Sequence, residues 1–135
     1  MSNELIVTSG GLEWIRDVFI AARNDLGPQP PQYIVVGSGI AAASSYVNQV
    51  PGETFRASIT NRAVSGTAAI FSTFLGPSDN QNQTISSYGL VGGKATATTG
   101  TGTLIAIANE PTPYSMDGTQ TAAIDLILTV SGIAG

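Results

Sequence analysis

Short apolar segments separated by turn-forming residues restrict the fold of this chain more than any other feature of its sequence. In segments such as residues 55–64 and 122–130, apolar and polar side chains alternate with a period of two. That period places one face of a strand against a core and the other toward solvent. The segments recur at a spacing of about ten residues with Gly, Pro, Asn or Asp between them, which is typical of antiparallel sheets rather than βαβ units. We therefore predict a mainly β (α+β) fold, built as an antiparallel β-sandwich or sheet.

The predicted strands are separated by recognisable turn signals. Ser65-Gly66 is expected to close a hairpin, Asp117-Gly118 to form a turn, and the prolines of Glu110-Pro111-Thr112-Pro113 to end a strand. The low-complexity Thr/Gly run at residues 96–102 suits a flexible hairpin tip. The strands themselves are predicted at residues 33–36, 55–64, 67–75, 85–91, 103–108 and 122–130.

One amphipathic helix is predicted at the N-terminus. Apolar residues recur at intervals of three and four through about residues 9–26, the spacing of a helix with one buried face. Thr8 or Ser9 supplies the N-cap oxygen, and Gly27-Pro28 ends the helix. We predict that all 135 residues form a single domain. In it, the helix covers one open face or one end of a β-rich part at residues 33–131.

Charged residues are scarce, at 10% of the chain against roughly 25% in an ordinary soluble domain. The apolar content of 42% disfavours disorder, which combines low hydrophobicity with high net charge. Because interface cores are depleted of charged residues, we expect a folded protein whose surface is partly covered by other subunits. The net charge of −4, with only five scattered Lys and Arg residues, argues against a nucleic-acid partner.

The absence of Cys and His removes several kinds of site. No disulfide, thiolate nucleophile, Ser-His-Asp triad or His-bearing metal site can be assembled. Gly37-Ser38-Gly39 matches the start of a dinucleotide fingerprint, but Val50-Pro51-Gly52 and an antiparallel pattern follow it in place of a second parallel strand. The run Gly89–Lys94 has Tyr88 where a phosphate loop needs its first Gly. No cofactor and no metal is predicted.

Neither a membrane segment nor an export signal is predicted. No stretch approaches the roughly 20 apolar residues that span a bilayer, and the run Met1–Val7 lacks the basic region of a signal peptide. We expect the chain to be made and kept in the cytoplasm, or to be released by lysis, without a membrane partner.

The acidic residues raise the hypothesis of a carboxylate-based glycan hydrolase. Such an enzyme needs two carboxyl groups facing each other across a groove, whereas most candidates lie in predicted turns, where a solvated side chain is ordinary. Asp125 lies instead in the last predicted strand, either on its wet side or paired with Arg56 or Arg62. Asp79-Asn80-Gln81-Asn82 alternates oxygen ligands but lacks the Gly and the distal Glu of a calcium loop. The candidate carboxylates are Glu53, Asp79, Glu110, Asp117 and Asp125.

The order of the segments resembles a family of bacteriophage tail-fibre and tail-collar virion domains. Thr8-Ser9-Gly10-Gly11-Leu12 is similar to the family's T-x-x-G-L run into a helix, and Tyr33–Gly39 to its strand ending in G-x-G. A long hairpin follows at Phe55–Leu75. Ile85–Leu90 is similar to the family's I-x-x-x-G-L-F strand, with Val91 in place of the aromatic residue. The family's closing strands are matched by Leu104–Ala108 and Ile124–Ser131.

The resemblance implies a non-enzymatic virion structural protein, assembled in the host cytoplasm. In the family this domain comes first and anchors a fibre shaft and a receptor-binding tip. Because this chain ends at Gly135, we expect a fibre-attachment, adaptor or decorating subunit that self-associates, as a trimer, and docks on tail, baseplate or neck proteins. A capsid decoration protein is a further alternative.

Two kinds of contact are compatible with the aromatic and apolar residues. In the virion interpretation the predicted interface residues are Leu5, Ile6, Val7, Trp14, Tyr88 and Tyr114. In the alternative, a carbohydrate- or host-surface-binding module with a glycan partner, an exposed tyrosine stacks on sugar. The candidates for that role are Tyr33, Tyr46, Tyr88 and Tyr114.

Overall fold

Two β-sheets form the architecture of the protein in the computed structural model, which describes residues 2–13, 31–40, 49–93 and 95–129. The strands are β1 (Ser2–Glu4), β2 (Ile6–Val7), β3 (Tyr33–Gly37), β4 (Glu53–Ser58), β5 (Asn61–Ser65), β6 (Ala68–Leu75), β7 (Gln83–Gly92), β8 (Thr103–Met116) and β9 (Ala122–Thr129). One sheet has four strands in the order β1-β9-β6-β5, and the other has five in the order β2-β8-β7-β3-β4. Their pairings are antiparallel except that of β1 with β9. The predicted mainly β fold is confirmed.

The main core lies between the two sheets. Leu75 of β6 and Leu126 of β9 belong to the same buried cluster as Ile34, Tyr88 and Ile105 of the five-stranded sheet. Each of these side chains exposes 1% or less of its surface. Burial of one large apolar side chain contributes about 1.5–3 kcal/mol. This layer therefore holds the two sheets against each other.

The five-stranded sheet is buried on its other face as well. Val35 and Ile107 expose 0% and 2% of their surface and pack with Val50, from the segment before β4, in a second buried cluster. A Cβ atom added at Gly89 would lie 2.3 Å from Cγ2 of Val50. The missing side chain at Gly89 thus lets Val50 rest directly on the sheet, which becomes an inner layer of the protein.

The chain passes from one sheet to the other between β4 and β5. A single strand is predicted at residues 55–64, but the structure divides it at Ile59 and Thr60. The Ile59 amide donates to the Gln32 carbonyl at 3.2 Å, whereas the Thr60 amide donates to the Ser72 carbonyl of β6 at 2.8 Å. The prediction of one strand is wrong because the backbone changes its partner while the side chains keep alternating.

The predicted hairpin is confirmed for β5 and β6, which pair in antiparallel register on either side of the turn at Ser65-Gly66. The φ angle of Gly66 is 59°, a conformation that favours glycine at the first position of a tight hairpin turn. The predicted hairpin tip at residues 96–102 lies between β7 and β8. Nη1 of Arg56 donates to the carbonyls of Thr96 at 3.0 Å and Thr101 at 2.9 Å, so the tip is bound to β4.

β8 continues through the proline-rich segment that is predicted to end it. Residues 110–113 bulge out of β8 opposite Ser86 of β7, and pairing resumes where Tyr114 lies opposite Ile85. Both prolines of the bulge are exposed, and in a bulge their missing N–H groups interrupt no regular ladder. The predicted end of the strand is therefore wrong, since an insertion accommodates the prolines.

Thr8 fixes the N-terminal segment to β8. Its amide donates to the Ile105 carbonyl at 3.0 Å, and its hydroxyl hydrogen is shared between the carbonyls of Leu104 and Ile105. The same hydroxyl oxygen accepts the Gly11 amide at 3.0 Å, so Thr8 is the N-cap residue. The described helix comprises residues 9–13, and the rest of the predicted helix lies outside the described residues. No helix in the described segments is long and apolar enough to cross a membrane.

We expect Gly89→Ala to destabilise the protein by about 1–3 kcal/mol, because the new methyl group overpacks the contact with Val50. Gly76→Ala is the matched control, since a Cβ atom there meets only Asp79 at an ordinary 3.6 Å. Urea unfolding curves of both variants test this. Equal midpoints for the two variants would contradict the close approach of Val50 to the sheet.

Candidate interaction surface

The four-stranded sheet turns one face toward the core and the other toward solvent. Residues that pair across neighbouring strands share a face, so Ile70 of β6 lies beside Ala63 of β5 and Ile127 of β9. Phe74 of β6 points to the same side and lies beside Ala123 of β9. We call this surface the outer face. Its apolar residues on β5, β6 and β9 are Ala63, Ala68, Ile70, Phe74, Ala123 and Ile127.

Phe74 is the largest exposed side chain of the outer face. It exposes 56% of its surface, whereas Phe71, on the opposite side of the same strand, exposes 8%. Each Å² of apolar surface left in water forgoes about 25 cal/mol, and contiguous exposed apolar patches mark interaction sites. On the five-stranded sheet, by contrast, Val50 covers the face that points away from the core between the sheets.

β5 adds an open edge to this surface. All of its residues, Asn61–Ser65, are exposed, and Val64 exposes 84% of its surface. β5 pairs with β6 on one side, and none of the described strands pairs with the other. An edge strand presents unpaired N–H and C=O groups that serve as a template for another chain.

The other sheet edges formed by the described strands are shorter or less accessible. β1 has three residues and β2 has two, and very short edge strands offer little backbone for pairing. β4 is mostly half-buried and carries an ion pair in which Nε of Arg56 lies 2.6 Å from Oε2 of Glu53. Both side chains of this pair are buried, and Arg56 also binds the hairpin tip at Thr96 and Thr101, so another segment of the chain partly covers β4. β5 is thus the long, exposed edge in the described part of the chain.

Asp125 is the one ionisable residue that β5, β6 and β9 place on the outer face. Its Oδ1 accepts a hydrogen bond from the Ser72 hydroxyl at 2.6 Å. Neither arginine predicted as its alternative partner bonds to it: Arg56 binds elsewhere, and Nη2 of Arg62 donates to the Pro31 carbonyl at 2.8 Å. Asp125 therefore has the predicted wet-face position, partly shielded by Ser72.

The predicted N-terminal interface residues lie in different environments. Leu5 exposes 7% of its surface and belongs to the core between the sheets, so it is not part of a docking surface. Ile6 is 50% exposed and Val7 is half-buried. Trp14 and Tyr46 lie outside the described residues.

Tyr88 and Tyr114 meet Glu110 inside the protein. The Tyr88 hydroxyl donates to Oε2 of Glu110 at 2.8 Å, and the Tyr114 hydroxyl lies 3.0 Å from that of Tyr88. Because the single hydroxyl hydrogen of Tyr88 goes to Glu110, Tyr114 donates to Tyr88. The bulge of β8 aims Glu110 inward, where it exposes 8%. Burial, then the bonds to Tyr114 and Glu110, raise the pKa of Tyr88 far above its ordinary value.

This arrangement changes the roles expected of the tyrosines. Tyr88 exposes 0% of its surface, so its predicted contact with a partner or a sugar is replaced by a contact within the core. Tyr114 is half-buried against the same core. Tyr33, half-buried as well, packs against the second buried cluster. None of these three tyrosines offers the fully exposed ring on which a sugar stacks.

The candidate carboxylates of a glycan hydrolase each accept a local hydrogen bond. Glu53 binds Arg56, and Glu110 binds Tyr88. The Gly76 amide donates to Asp79 at 2.8 Å, and the remaining two, Asp117 and Asp125, accept from Thr119 and Ser72. In the described segments, no group of three acidic side chains is placed to hold a metal ion.

The glycine motif after β3 is a turn held by the backbone. The amides of Ser38 and Gly39 donate to the carbonyls of Gly52 at 3.0 Å and Pro51 at 3.1 Å, so they are not directed at a phosphate. A cavity of about 20 Å³ lies between Arg56, Thr101 and the sheet. That volume holds a water molecule and is far below the roughly 300 Å³ of small-molecule sites.

No known protein family, curated protein or solved structure matches the chain. The outer face and the edge of β5 are therefore identified as an interaction surface from their exposure and from the strand order alone. Sequence reasoning missed this surface, although the period of two places Ile70 and Phe74 on one side of their strand. That signal does not reveal which side faces the core, since Phe71 and Leu75 on the other side are equally apolar.

We expect the free energy of unfolding to decrease above pH 10, the ordinary pKa of tyrosine. Because the folded-state pKa of Tyr88 is raised, the protein's stability is fully present below that pH and is lost as tyrosines of the unfolded chain ionise. Tyr88→Phe should weaken this alkaline loss. At neutral pH it should also destabilise by about 1–3 kcal/mol, since Glu110 loses its donor.

Tyr114→Phe retains the bond between Tyr88 and Glu110 and is the control for the destabilisation at neutral pH. Because burial raises the pKa of Tyr114 too, this variant should also weaken the alkaline loss. Urea unfolding at neutral and alkaline pH measures both effects. An unchanged pH dependence in Tyr88→Phe would contradict the buried, neutral state of this phenol.

Proposed function

We propose that this chain is a non-enzymatic structural subunit of a bacteriophage particle, acting as an attachment, adaptor or decorating protein. It docks on other virion proteins through the outer face of its four-stranded sheet.

The observation that carries the proposal is the apolar outer face next to the open edge of β5. Phe74 exposes 56% of its surface, and the half-buried Ile70 and Ile127 lie beside each other on the same face. Val64, on the edge strand β5, exposes 84%. A protein partner that covered this surface would remove apolar area from water and would bury few charges. The one ionisable residue that β5, β6 and β9 place there is Asp125, which accepts a hydrogen bond from Ser72.

The composition supports the same conclusion. With 10% charged residues, the chain has few of the side chains that keep protein surfaces apart in solution. A depletion of charged residues is also characteristic of the central part of a protein interface. This supports a location inside a larger assembly.

The resemblance to tail-fibre and tail-collar domains supports the viral setting. Its segments fall on elements of the structure: the capping residue Thr8, strand β3, the hairpin of β5 and β6, and the close-packed Gly89 of β7. A non-enzymatic role is supported by the candidate carboxylates, which are all engaged in local hydrogen bonds.

We expect quantitative mass spectrometry of purified particles of the virus that encodes this chain to detect it in a fixed number of copies. Phe74→Lys should lower that number at least tenfold, because the ammonium group would be buried against an apolar partner. Ile40→Lys is the matched control. Ile40 is 69% exposed but lies outside the outer face, so particles with this variant should keep the normal copy number.

Particles that contain none of this chain would refute the proposed function. Equal incorporation of both lysine variants would show that the outer face is not the docking surface. Circular dichroism of the purified variants checks that each remains folded, as the exposure of both side chains predicts.

A further inference from the structure

We infer that the edge of β5 pairs with β5 of a second copy of this chain, in an antiparallel register centred on Ala63. This inference deepens the proposed function, on which its biological meaning rests. It identifies the partner of one part of the surface, the edge, and leaves the outer face to other virion proteins.

β5 lacks most of the features that protect an edge strand from pairing with another chain. Edge strands avoid pairing through short length, proline, bulges or charged side chains. β5 spans five residues without proline, its pairing with β6 shows no register shift, and its one charged residue, Arg62, is engaged by the Pro31 carbonyl. By contrast, β4 is mostly half-buried, and its Arg56 is bound to the hairpin tip at Thr96 and Thr101.

The side chains of β5 are compatible with those of a second, antiparallel β5. With Ala63 opposite its own symmetry mate, Asn61 lies opposite Ser65, and Arg62 lies opposite Val64. No charge then faces a like charge, which would be destabilising. Val64, 84% exposed in the single chain, gains the aliphatic stem of the partner's arginine as a neighbour.

Pairing through β5 would also make the four-stranded sheets of the two copies continuous. Pairing across a twofold axis joins two four-stranded sheets into one of eight strands. Because the register is centred on a residue, the outer faces of both copies remain on the same side. Ala63 and Ile70 of the two copies then form one uninterrupted apolar strip. A twofold pair of this kind replaces the trimer expected from the sequence resemblance.

Single cysteines test the pairing, since the natural chain contains none. We expect Ala63→Cys to form a covalent dimer on mild oxidation or with a short bifunctional thiol reagent. Asn61→Cys and Ser65→Cys should cross-link poorly alone and well when mixed with each other. Thr112→Cys, exposed on the bulge of β8, is the control and should stay monomeric on a denaturing gel.

Charge substitutions at Val64 provide a second test. Val64→Arg places two like-charged pairs across the interface and should raise the dimer dissociation constant about tenfold. Val64→Glu places the carboxylate opposite the partner's Arg62 and should lower it. Thr112→Arg and Thr112→Glu, with the same charges away from the edge, should change nothing. Sedimentation equilibrium measures the constants.

A protein that stays monomeric at high concentration, with no cross-link at Ala63→Cys, would overturn the inference. Equal cross-linking at Asn61, Ala63 and Ser65 would overturn the antiparallel register. Dimers in solution together with particles that lack this chain would refute the proposed function alone. Particles that contain the chain without any β5 cross-link would refute the pairing alone.

Discussion

The burial of both faces of the five-stranded sheet is the constraint on which the rest of this structure depends. One face packs on the four-stranded sheet through residues such as Leu90 and Leu126, and the other packs on Val50. β7 shows this burial on both faces, since every residue from Ile85 to Gly92 is buried. On the four-stranded sheet, by contrast, Phe74 of the outer face stays 56% exposed.

This difference between the two sheets is consistent with the chain's low content of charged residues, 10%. A two-layer protein usually keeps a charged or strongly polar outer face on each layer. Here one outer face is covered by the chain itself, and the other presents Ile70, Phe74 and Ile127 with a single ionisable neighbour, Asp125, among the residues of β5, β6 and β9. The charge that an isolated protein would need on that face is missing. We propose that a protein partner covers that face.

Much of the fold was predictable from the sequence, because the period of two in β4 and β9 and the capping pattern at Thr8 are local signals. The change of sheet at Ile59 and Thr60 was not, since the exchange of backbone partners leaves the side-chain pattern intact. The bulge at residues 110–113 was read as a strand end, because prolines mark both. The contact between Glu110 and Tyr88 depends on that bulge and was missed with it.

The candidate surface was less predictable than the fold. Its residues are apolar on both sides of β6, so no alternation distinguishes the core from the outer face, and the exposed edge of β5 follows only from the strand order. The predicted contact residues Leu5 and Tyr88 are instead buried, because apolar and aromatic side chains serve cores and interfaces equally well.

Hydrogen exchange tests most directly whether a protein partner covers this surface. Backbone amides of the free chain and of the chain in purified particles are compared by mass spectrometry. We predict that exchange in β5, at Asn61–Ser65, slows markedly on assembly, while β7, already buried in the free chain, changes little. Equally fast exchange of β5 in both states would contradict the account.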